Sequence, residues 1–353
     1  MIFTASTVKD TLPNIRRFVA GNLAGGVDHL FVFLDAPDRE VRGFLDEHPH
    51  VTCIRTDKAW WGEDRPENLN ARQRINANLA KAVLSTLEGD HWVFHIDADE
   101  IVQLDRALLD AAPAETRAVR LAPLEAVSQK HWDSEPTFFK RLLPSEDLVL
   151  LHTLGVIDKP SNGAHFHGHV DGKSGVRPDL DVWLTLHEAV DSAEQAIEPL
   201  RNKKKLRLLH YESFSGEDFV RKWTSILAAG PTVNLRPVRE PTAIAVRALI
   251  AKGLTEEEAA PYLMKIFERT TEDDLQTLSD LGLVEEIDPS AGTHVPQQLS
   301  DADRDRIDRV VEGLRGQPKR VFHHGHPAAE ARKALAAATG EPVRAARGFL
   351  RRS

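Results

Sequence analysis

Apolar positions in the first hundred residues change their spacing several times, and this predicts alternating strands and helices. Continuous apolar runs indicate buried strands, whereas apolar residues at helical spacing indicate the helices between them. Strands are expected at 1–8, 29–34, 51–54 and 91–96, and helices at 11–23, 38–47 and 66–87. Alternation at this spacing is typical of parallel βαβ units, so the sequence predicts an α/β fold with a mostly parallel sheet flanked by helices.

The pattern after residue 215 is helical. Capping signals such as Thr255 with Glu258 mark helix starts. Helices are expected at 216–229, 240–252, 255–270, 272–281, 300–314 and 328–338, with a loop or linker at 288–299. The sequence therefore predicts an α/β domain over 1–215, a helical extension over 216–287, and a linker with C-terminal helices over 288–353.

Composition and charge narrow the class of protein. The 353 residues are 41% hydrophobic, enough for one large domain or two ordinary ones, and no apolar run reaches the roughly 18 residues of a membrane span. A formal charge of −9 argues against a general nucleic-acid binder. The single cysteine, Cys53, excludes an intrachain disulfide, and the N-terminus shows no secretory signal, so we expect a cytoplasmic protein.

The last residues are an exception to the acidic balance. Four arginines surround an apolar pair in this stretch, which contains Arg344, Arg347, Phe349, Leu350, Arg351 and Arg352. The ordinary interpretation is a solvated helix end; the alternative is a weak contact with an anionic membrane surface or a partner. The second interpretation would place the protein at the inner face of the membrane.

The predicted fourth strand ends in three carboxylates, within WVFHIDADE at 92–100. If strand geometry continues through Ala98, the side chains of Asp97 and Asp99 share one side of the strand. Two neighbouring carboxylates repel each other, and Mg²⁺ or Mn²⁺, which prefers oxygen ligands, would relieve that repulsion. A solvated acidic turn or a helix N-cap is the alternative. The position beyond the carboxyl end of a central strand favours a ligand site.

The ordered motifs resemble those of nucleotide-sugar glycosyltransferases with the GT-A fold. More narrowly, they resemble the bacterial branch of glycosyltransferase family 2 that carries a DADE-type metal motif. The resemblance covers about residues 1–225 and consists of TVKD (7–10), HIDADEIV (95–102), GKSGVRP (172–178), LHEA (186–189) and LLHYESFSGEDFVRKW (208–223). Two departures stand out: Asp10 replaces the usual Glu or Asn-Glu pair, and the polar cluster after the second strand is reduced to DAPD.

This resemblance implies roles for individual residues. Asp97 and Asp99 would hold Mn²⁺ or Mg²⁺ on the donor diphosphate, and Asp99 would thereby be catalytic. His210 would be a further metal or diphosphate ligand, with His187 as the alternative. Nucleotide contacts would come from Thr4, Ser6 and Asp10 in the loop after the first strand, from Asp35 at the base, and from Arg74 facing the donor, with Arg55, Lys58, Arg65 and Arg72 as alternatives to Arg74.

Two further sets of residues follow from their own chemistry. Lys173 and Arg177 could neutralise phosphate beside a backbone made accessible by glycine. Glu188 follows an apolar run, so partial burial would raise its pKa and suit it as the general base of an inverting transfer, with Asp179 and Asp181 as alternatives. The alternating histidines 165, 167 and 169 indicate either a polar cleft wall or a zinc site.

The leading hypothesis is a metal-dependent, inverting glycosyltransferase. It would move a sugar from a nucleotide-sugar, UDP-linked, to a hydroxyl of a glycan, lipid or small molecule. One alternative is a non-catalytic nucleotide-sugar-binding scaffold. Another is a sugar nucleotidyltransferase, which TASTVKDTLP at 4–13 disfavours because this segment lacks a Gly-rich basic signature. The helical C-terminal region would shape the acceptor side or a homo-oligomer contact.

Overall fold

The computed structural model describes residues 1–36, 38–228, 240–326 and 328–340. These residues form two compact units. The first contains Met1–Ala122, Asp171–Leu208 and the chain from Pro289 onward, and the second contains Pro123–Val170 and Leu209–Asp288. Residues 1–215 thus contribute to both units, and the segment after 288 returns to the first, so the units do not follow the expected division of the chain.

The strands come early in the chain and the longer helices late. The strands are β1 (Ile2–Val8), β2 (His29–Leu34), β3 (Val51–Arg55), β4 (Trp92–His95), β5 (Glu100–Leu104), β6 (Ala118–Ala126), β7 (Phe138–Arg141), β8 (Lys173–Val176), β9 (Trp183–Leu184), β10 (Ala189–Val190), β11 (Leu200–Arg201), β12 (Leu206–His210) and β13 (Val284–Glu286). The helices are α1 (Leu12–Ala24), α2 (Arg39–Glu47), α3 (Lys58–Trp61), α4 (Leu69–Leu84), α5 (Arg106–Asp110), α6 (Ser145–Thr153), α7 (Asn162–His165), α8 (Gly216–Ala228), α9 (Glu240–Ile250), α10 (Glu256–Thr270), α11 (Leu275–Asp280), α12 (Asp301–Gly313) and α13 (Ala328–Thr339).

The sheet of the first unit is mostly parallel, as the sequence predicts. Its strand order is β3-β2-β1-β4-β8-β6, and β1 pairs in parallel with both β2 and β4. The strand β8 is antiparallel to β4 and to β6. The order reverses between β1 and β4, because β2 and β3 extend the sheet on one side of β1 and β4 lies on the other. Ligands of open α/β sheets bind beyond the carboxyl ends of the strands at such a reversal.

Alternation of side chains along β1 divides the core of the first unit into two layers. Phe3 and Ala5 belong to the layer that contains the buried face of α4, and this layer also holds apolar residues of α12 and α13. Ile2 and Val8 belong to the opposite layer, which contains the buried face of α1. Helices therefore pack on both faces of the sheet.

The second unit combines a short antiparallel sheet with helices. The end of β6 pairs with β7, and β7 pairs with β13, both antiparallel. The helices α8, α9 and α10 share a core that includes Phe219, Trp223 and Phe267. A second cluster includes Leu151 of α6 and Leu278 of α11. Among the described residues, every helix is too short or too polar to cross a lipid bilayer.

The predicted strands and helices of the first hundred residues are all present, with small shifts of their ends. The predicted C-terminal helices within the described ranges are present as well. Residue 229 and the basic cluster from Arg344 to Arg352 lie outside the described residues. The short strand β5 was not predicted, and it begins immediately after the acidic motif, which changes the geometry of that motif.

Candidate functional site

The acidic motif forms a turn at the carboxyl end of β4. The strand ends at His95, and Ala98 and Asp99 lie in the turn that precedes β5. The Oε2 of Glu100 accepts the backbone N–H of Asp97 at 2.7 Å, and the backbone N–H of Glu100 donates to the carbonyl of Asp97 at 3.2 Å. The prediction that strand geometry continues through Ala98 is wrong. Ala98 and Asp99 lie in a turn, which the hydrogen bond from Asp97 N–H to the Glu100 carboxylate stabilises.

Asp97 is an ionised carboxylate with a partner on each oxygen. Lys173 donates to Oδ2 at 2.6 Å, and Gln73 donates to Oδ1 at 2.6 Å. Burial raises the pKa of Asp97, but the charge of Lys173, the neighbouring His95 and the hydrogen bond from Lys173 together lower it to about 2. The nearby charge of Asp99 acts in the opposite direction. Asp97 is therefore negatively charged throughout the physiological pH range.

Lys173 is a buried cation inside the acidic turn. Its ammonium lies 3.8 Å from Oε2 of Glu100 as well as beside Asp97, and its side chain is 1% exposed. Burial lowers the pKa of Lys173, but Asp97 and Glu100 together raise it by more than burial lowers it. Lys173 therefore stays protonated. Three carboxylates and one ammonium therefore lie together in this turn, and carboxylate oxygens are the ligands that Mg²⁺ and Mn²⁺ prefer.

Polar side chains of α4 reach the same end of the sheet, and the sequence reasoning missed them. Gln73 contacts Asp97, and one turn later Asn76 donates to the hydroxyl of Thr7 at 2.9 Å. The Oδ1 of Asn76 is buried and accepts no hydrogen bond within the described chain. Gln73 and Asn76 are polar residues at i, i+3 spacing within an otherwise apolar helix pattern. This interruption of the pattern could have identified them from the sequence as candidate site residues.

His95 is a second missed group at this end of β4. Its Nδ1 lies 2.9 Å from the carbonyl of Thr185. Burial lowers the pKa of His95 to about 4, with a further contribution from the charge of Lys173, so the ring is neutral. Since a carbonyl only accepts, Nδ1 carries the proton and Nε2 is a bare acceptor. That nitrogen is buried and has no partner in the described part of the chain.

The three nucleotide candidates near β1 lie in different environments. Thr4 and Ser6 are inside β1 and buried, not in the loop after it as expected. The predicted strand at 1–8 already included both residues, so their assignment to the loop did not agree with the predicted end of that strand. Asp10 does lie in that loop, where its Oδ1 accepts the backbone N–H of Thr11 at 2.7 Å, at the start of α1.

Asp35 lines a groove of about 650 Å³ beyond the carboxyl ends of β2 and β3. Its carboxylate is bound by Arg65 at 2.8 Å, Arg72 at 3.0 Å and the Thr56 hydroxyl at 3.0 Å. The groove is lined by Leu34, Asp35, Ala36, Asp38, Arg39, Arg42, Arg55, Thr56, Asp57, Lys58, Gly62, Glu63 and Arg65. Asp38 and Asp57 cap α2 and α3 there, so both helices begin at the groove.

Arg177 lies at the other end of the sheet from Asp97. The antiparallel register places Val176 opposite Val93, so the chain after β8 reaches the amino end of β4. There the guanidinium of Arg177 stacks 4.5 Å from the Trp92 ring and donates to the Ala112 carbonyl at 3.2 Å. The structure therefore separates Arg177 from the acidic turn, whereas Lys173 at the start of β8 reaches it.

Glu188 is more exposed than the expected role requires. Its side chain is 57% exposed and lies 3.8 Å from the guanidinium of Arg120. Arg120 also donates to the His187 carbonyl, which accepts the Ser174 hydroxyl at 2.8 Å. The burial that favoured Glu188 as a base is therefore smaller than the sequence suggested, because more than half of its side chain is exposed.

His210, the expected additional metal ligand, belongs to the second unit, whereas Asp97 and Asp99 belong to the first. Its side chain is 5% exposed, and its ring stacks on His169 with centroids 4.8 Å apart. The Nδ1 of His210 lies 3.7 Å from Oε2 of Glu125, within the same unit. The alternative ligand, His187, lies in the first unit with Nδ1 3.0 Å from the Gly172 carbonyl.

The three alternating histidines of the second unit point to different partners. The His165 carbonyl accepts the Lys140 ammonium at 2.9 Å, and Nε2 of His167 lies 3.1 Å from Oδ1 of Asp273. His169 instead stacks on His210. Since His165 ends the helix α7 and residues 166–170 contain no strand, the three histidines do not share the strand face on which the zinc interpretation was based.

None of the protein-family models matches the chain, and no curated protein is significantly similar to it in sequence.

Proposed function

We propose that the chain is a metal-dependent glycosyltransferase of the GT-A type. It transfers a sugar from a UDP-sugar to a hydroxyl of a glycan, lipid or small molecule. The observation that carries this proposal is the acidic turn with Lys173 at the carboxyl end of β4, beside the reversal of strand order at β1. Open α/β sheets bind ligands at that place, and carboxylate oxygens are suitable ligands for a divalent cation.

The donor set fits Mn²⁺ or Mg²⁺. Both oxygens of Asp97 already accept hydrogen bonds, so we assign the direct metal contact to Asp99 and the orientation of the turn to Asp97. A bound divalent cation supplies Lewis-acid stabilisation of the departing nucleoside diphosphate. Lys173 keeps Asp97 ionised and fixed, and Gln73 holds the other Asp97 oxygen. The groove at Asp35 offers space for the nucleoside.

Glu188 is the proposed general base for an inverting transfer. Its exposure leaves the carboxylate accessible to an acceptor hydroxyl, and Arg120 lies close enough to keep it oriented. The same exposure also supports the second candidate function, a scaffold that binds nucleotide-sugar without catalysis, because an exposed carboxylate has no environment that tunes it for proton transfer.

Nucleotide and metal binding can be tested by thermal shift. UDP, GDP, CDP and dTDP are each added with and without Mn²⁺, and we expect the largest stabilisation with UDP and Mn²⁺ together. The variant Asp99→Ala should lose the metal-dependent part of the shift, whereas the exposed control Asp46→Ala should keep it. An unchanged shift in Asp99→Ala would remove Asp99 from the metal site.

Catalysis requires a separate measurement, the transfer or hydrolysis of a radiolabelled UDP-sugar. Glu188→Gln should bind UDP as the wild type does and lose activity on the order of 10²-fold or more. Normal activity in Glu188→Gln would assign the base elsewhere. Nucleotide binding by the wild type without any transfer or hydrolysis would favour the scaffold.

A further inference from the structure

A cluster of charged side chains and imidazoles lies in the first unit where α4 packs against the 3-10 turn Arg320–Phe322. It contains His323 and His324 after that turn, Glu194 in the loop after β10, and Arg74 of α4, which the resemblance had placed facing the donor and whose charge acts on both imidazoles. The imidazoles of His323 and His324 stack with centroids 4.3 Å apart and planes at 28°.

Two backbone positions at the cluster have positive φ angles. Glu194 is a non-glycine residue with φ 60°, and Gly325 has φ 89°. A Cβ at Gly325 would lie 2.7 Å from Oε1 of Glu194, so only glycine lets the loop approach so closely. Strained positions of this kind persist where the surrounding structure enforces them, and they are concentrated at binding sites.

The cluster also has buried polar atoms without partners. The Nε of Arg74 and the Nδ1 of His324 are both buried, and neither has a hydrogen-bond partner within the described ranges. Such atoms carry a desolvation cost unless a ligand or water satisfies them. Glu194 is the nearby carboxylate, but its side chain is 57% exposed and its Oε1 is 3.9 Å from the His324 ring.

We propose that Arg74, His323 and His324 form a binding site for a phosphate group. The guanidinium supplies a fixed positive charge with several N–H donors, and the imidazoles supply further donors when they are protonated. The loop that carries both histidines lies beyond the part of the chain that resembles glycosyltransferases. Phosphate binding at this site does not require the proposed transferase activity.

Acidity should strengthen the binding. Burial lowers the pKa of both His323 and His324, and the charge of Arg74 lowers it further, while Glu194 raises it. Nδ1 of His323 lies 2.7 Å from the backbone carbonyl of His324, and this contact raises the pKa of His323, whereas the charge of His326 lowers it. The charge of His323 lowers the pKa of His324. A bound anion favours the protonated imidazoles, so affinity for phosphate should rise as the pH falls from 8 to 6.

The test is a titration of the full chain with inorganic phosphate, followed by NMR of ¹³C-labelled histidine and by calorimetry. We expect a saturable shift of the His323 and His324 signals, assigned with His323→Gln and His324→Gln. Arg74→Gln should weaken binding by about tenfold or more, as loss of a charge-assisted contact implies. If Arg74→Gln does not fold, Arg74→Lys should weaken binding through loss of the planar donor set.

Two matched controls locate the phosphate. His326→Gln changes a histidine of the same loop that lies near Glu330 instead, and it should bind like the wild type. Arg55→Gln changes an arginine of the groove at Asp35, and it should also bind like the wild type. Absence of a saturable shift, or a loss in Arg55→Gln with retention in Arg74→Gln, overturns the proposal.

The source of the phosphate can be separated in the same experiment. If UDP with Mn²⁺ displaces inorganic phosphate from the two histidines, the site receives the donor diphosphate. If both bind together, it receives a phosphate group of a second ligand. Either result supports the site, and a failure of UDP to bind at all would count against the proposed function alone.

Discussion

At the scale of single residues, Lys173 has the largest influence on the candidate site. It is buried between Asp97 and Glu100, and its ammonium is a fixed cation in the turn that is proposed to bind a metal. Removing one partner of a buried ion pair leaves an uncompensated charge, which costs far more than the intact pair contributes. The stability of the first unit should therefore be sensitive to this lysine.

We expect Lys173→Met to lower the free energy of unfolding by about 3–5 kcal/mol, the cost of leaving buried carboxylates unpaired. Urea unfolding measures this loss. The matched control is Lys205→Met, which removes an ammonium 2.7 Å from Asp105 in a pair whose lysine is 52% exposed. The control should show a much smaller, salt-sensitive change. Equal losses in the two variants would mean that burial does not set the importance of Lys173.

At the scale of elements, α1 and β5 approach each other closely at a glycine. Gly25 ends α1, and its carbonyl accepts the backbone N–H of Leu104 at 2.9 Å. A Cβ at Gly25 would overlap the carbonyl oxygen of Val102 in β5. The backbone of Gly25 has φ −74°, so lack of space and not conformation excludes a side chain there.

Gly25→Ala should destabilise the protein by about 1–3 kcal/mol or more, because backbone atoms of β5 must move. Gly43→Ala is the control, since a Cβ at Gly43 in α2 meets nothing within 4 Å. That variant should gain about 0.5–1 kcal/mol from the higher helix propensity of alanine. Thermal or urea unfolding of the two variants compares them directly, and similar changes in both would contradict the close approach.

Local patterns account for what the sequence predicted at this scale. Strong periodicity identified β1 to β4 with their helices, because each of these elements buries a regular set of apolar positions. The partner of Asp97, Lys173, is 76 residues away, and no local pattern reports such a pair. The misplacement of Arg177 has a similar cause, since its position depends on the antiparallel direction of β8.

At the scale of the whole molecule, each unit contains buried carboxylates that are neutralised by a cation. In the first unit Asp28 is fully buried, and it accepts from the backbone of Ile2 at 2.8 Å and from Arg106 at 2.9 Å. Oδ1 of Asp28 lies 3.0 Å from Nε2 of His294. Asp28 therefore contacts both Ile2 of β1 and the segment after residue 288. In the second unit Lys140 is buried beside Glu125 at 3.1 Å and Asp273 at 2.9 Å.

The network of the second unit makes stability depend on pH in a definite direction. Burial raises the pKa values of Glu125 and Asp273, but the charge of Lys140, followed by His167 and hydrogen bonds, lowers them below their ordinary values. A lowered pKa gives stability that is present above the unfolded value, about 4, and lost as the pH falls through the folded value. Burial lowers the pKa of Lys140 and the two carboxylates raise it more, so its contribution is lost only in strong alkali.

Lys140→Met should change how the free energy of unfolding depends on pH between pH 7 and pH 5, so that stability rises as the pH falls. Without the ammonium, burial raises the pKa values of Glu125 and Asp273, so the variant gains stability as these carboxylates become protonated. The wild type should change little over the same range. Urea midpoints followed by tryptophan fluorescence measure both slopes, and Lys130→Met, an exposed lysine paired with Glu268, should behave as the wild type. Parallel slopes for Lys140→Met and the wild type would show that Lys140 does not set the charge of these carboxylates.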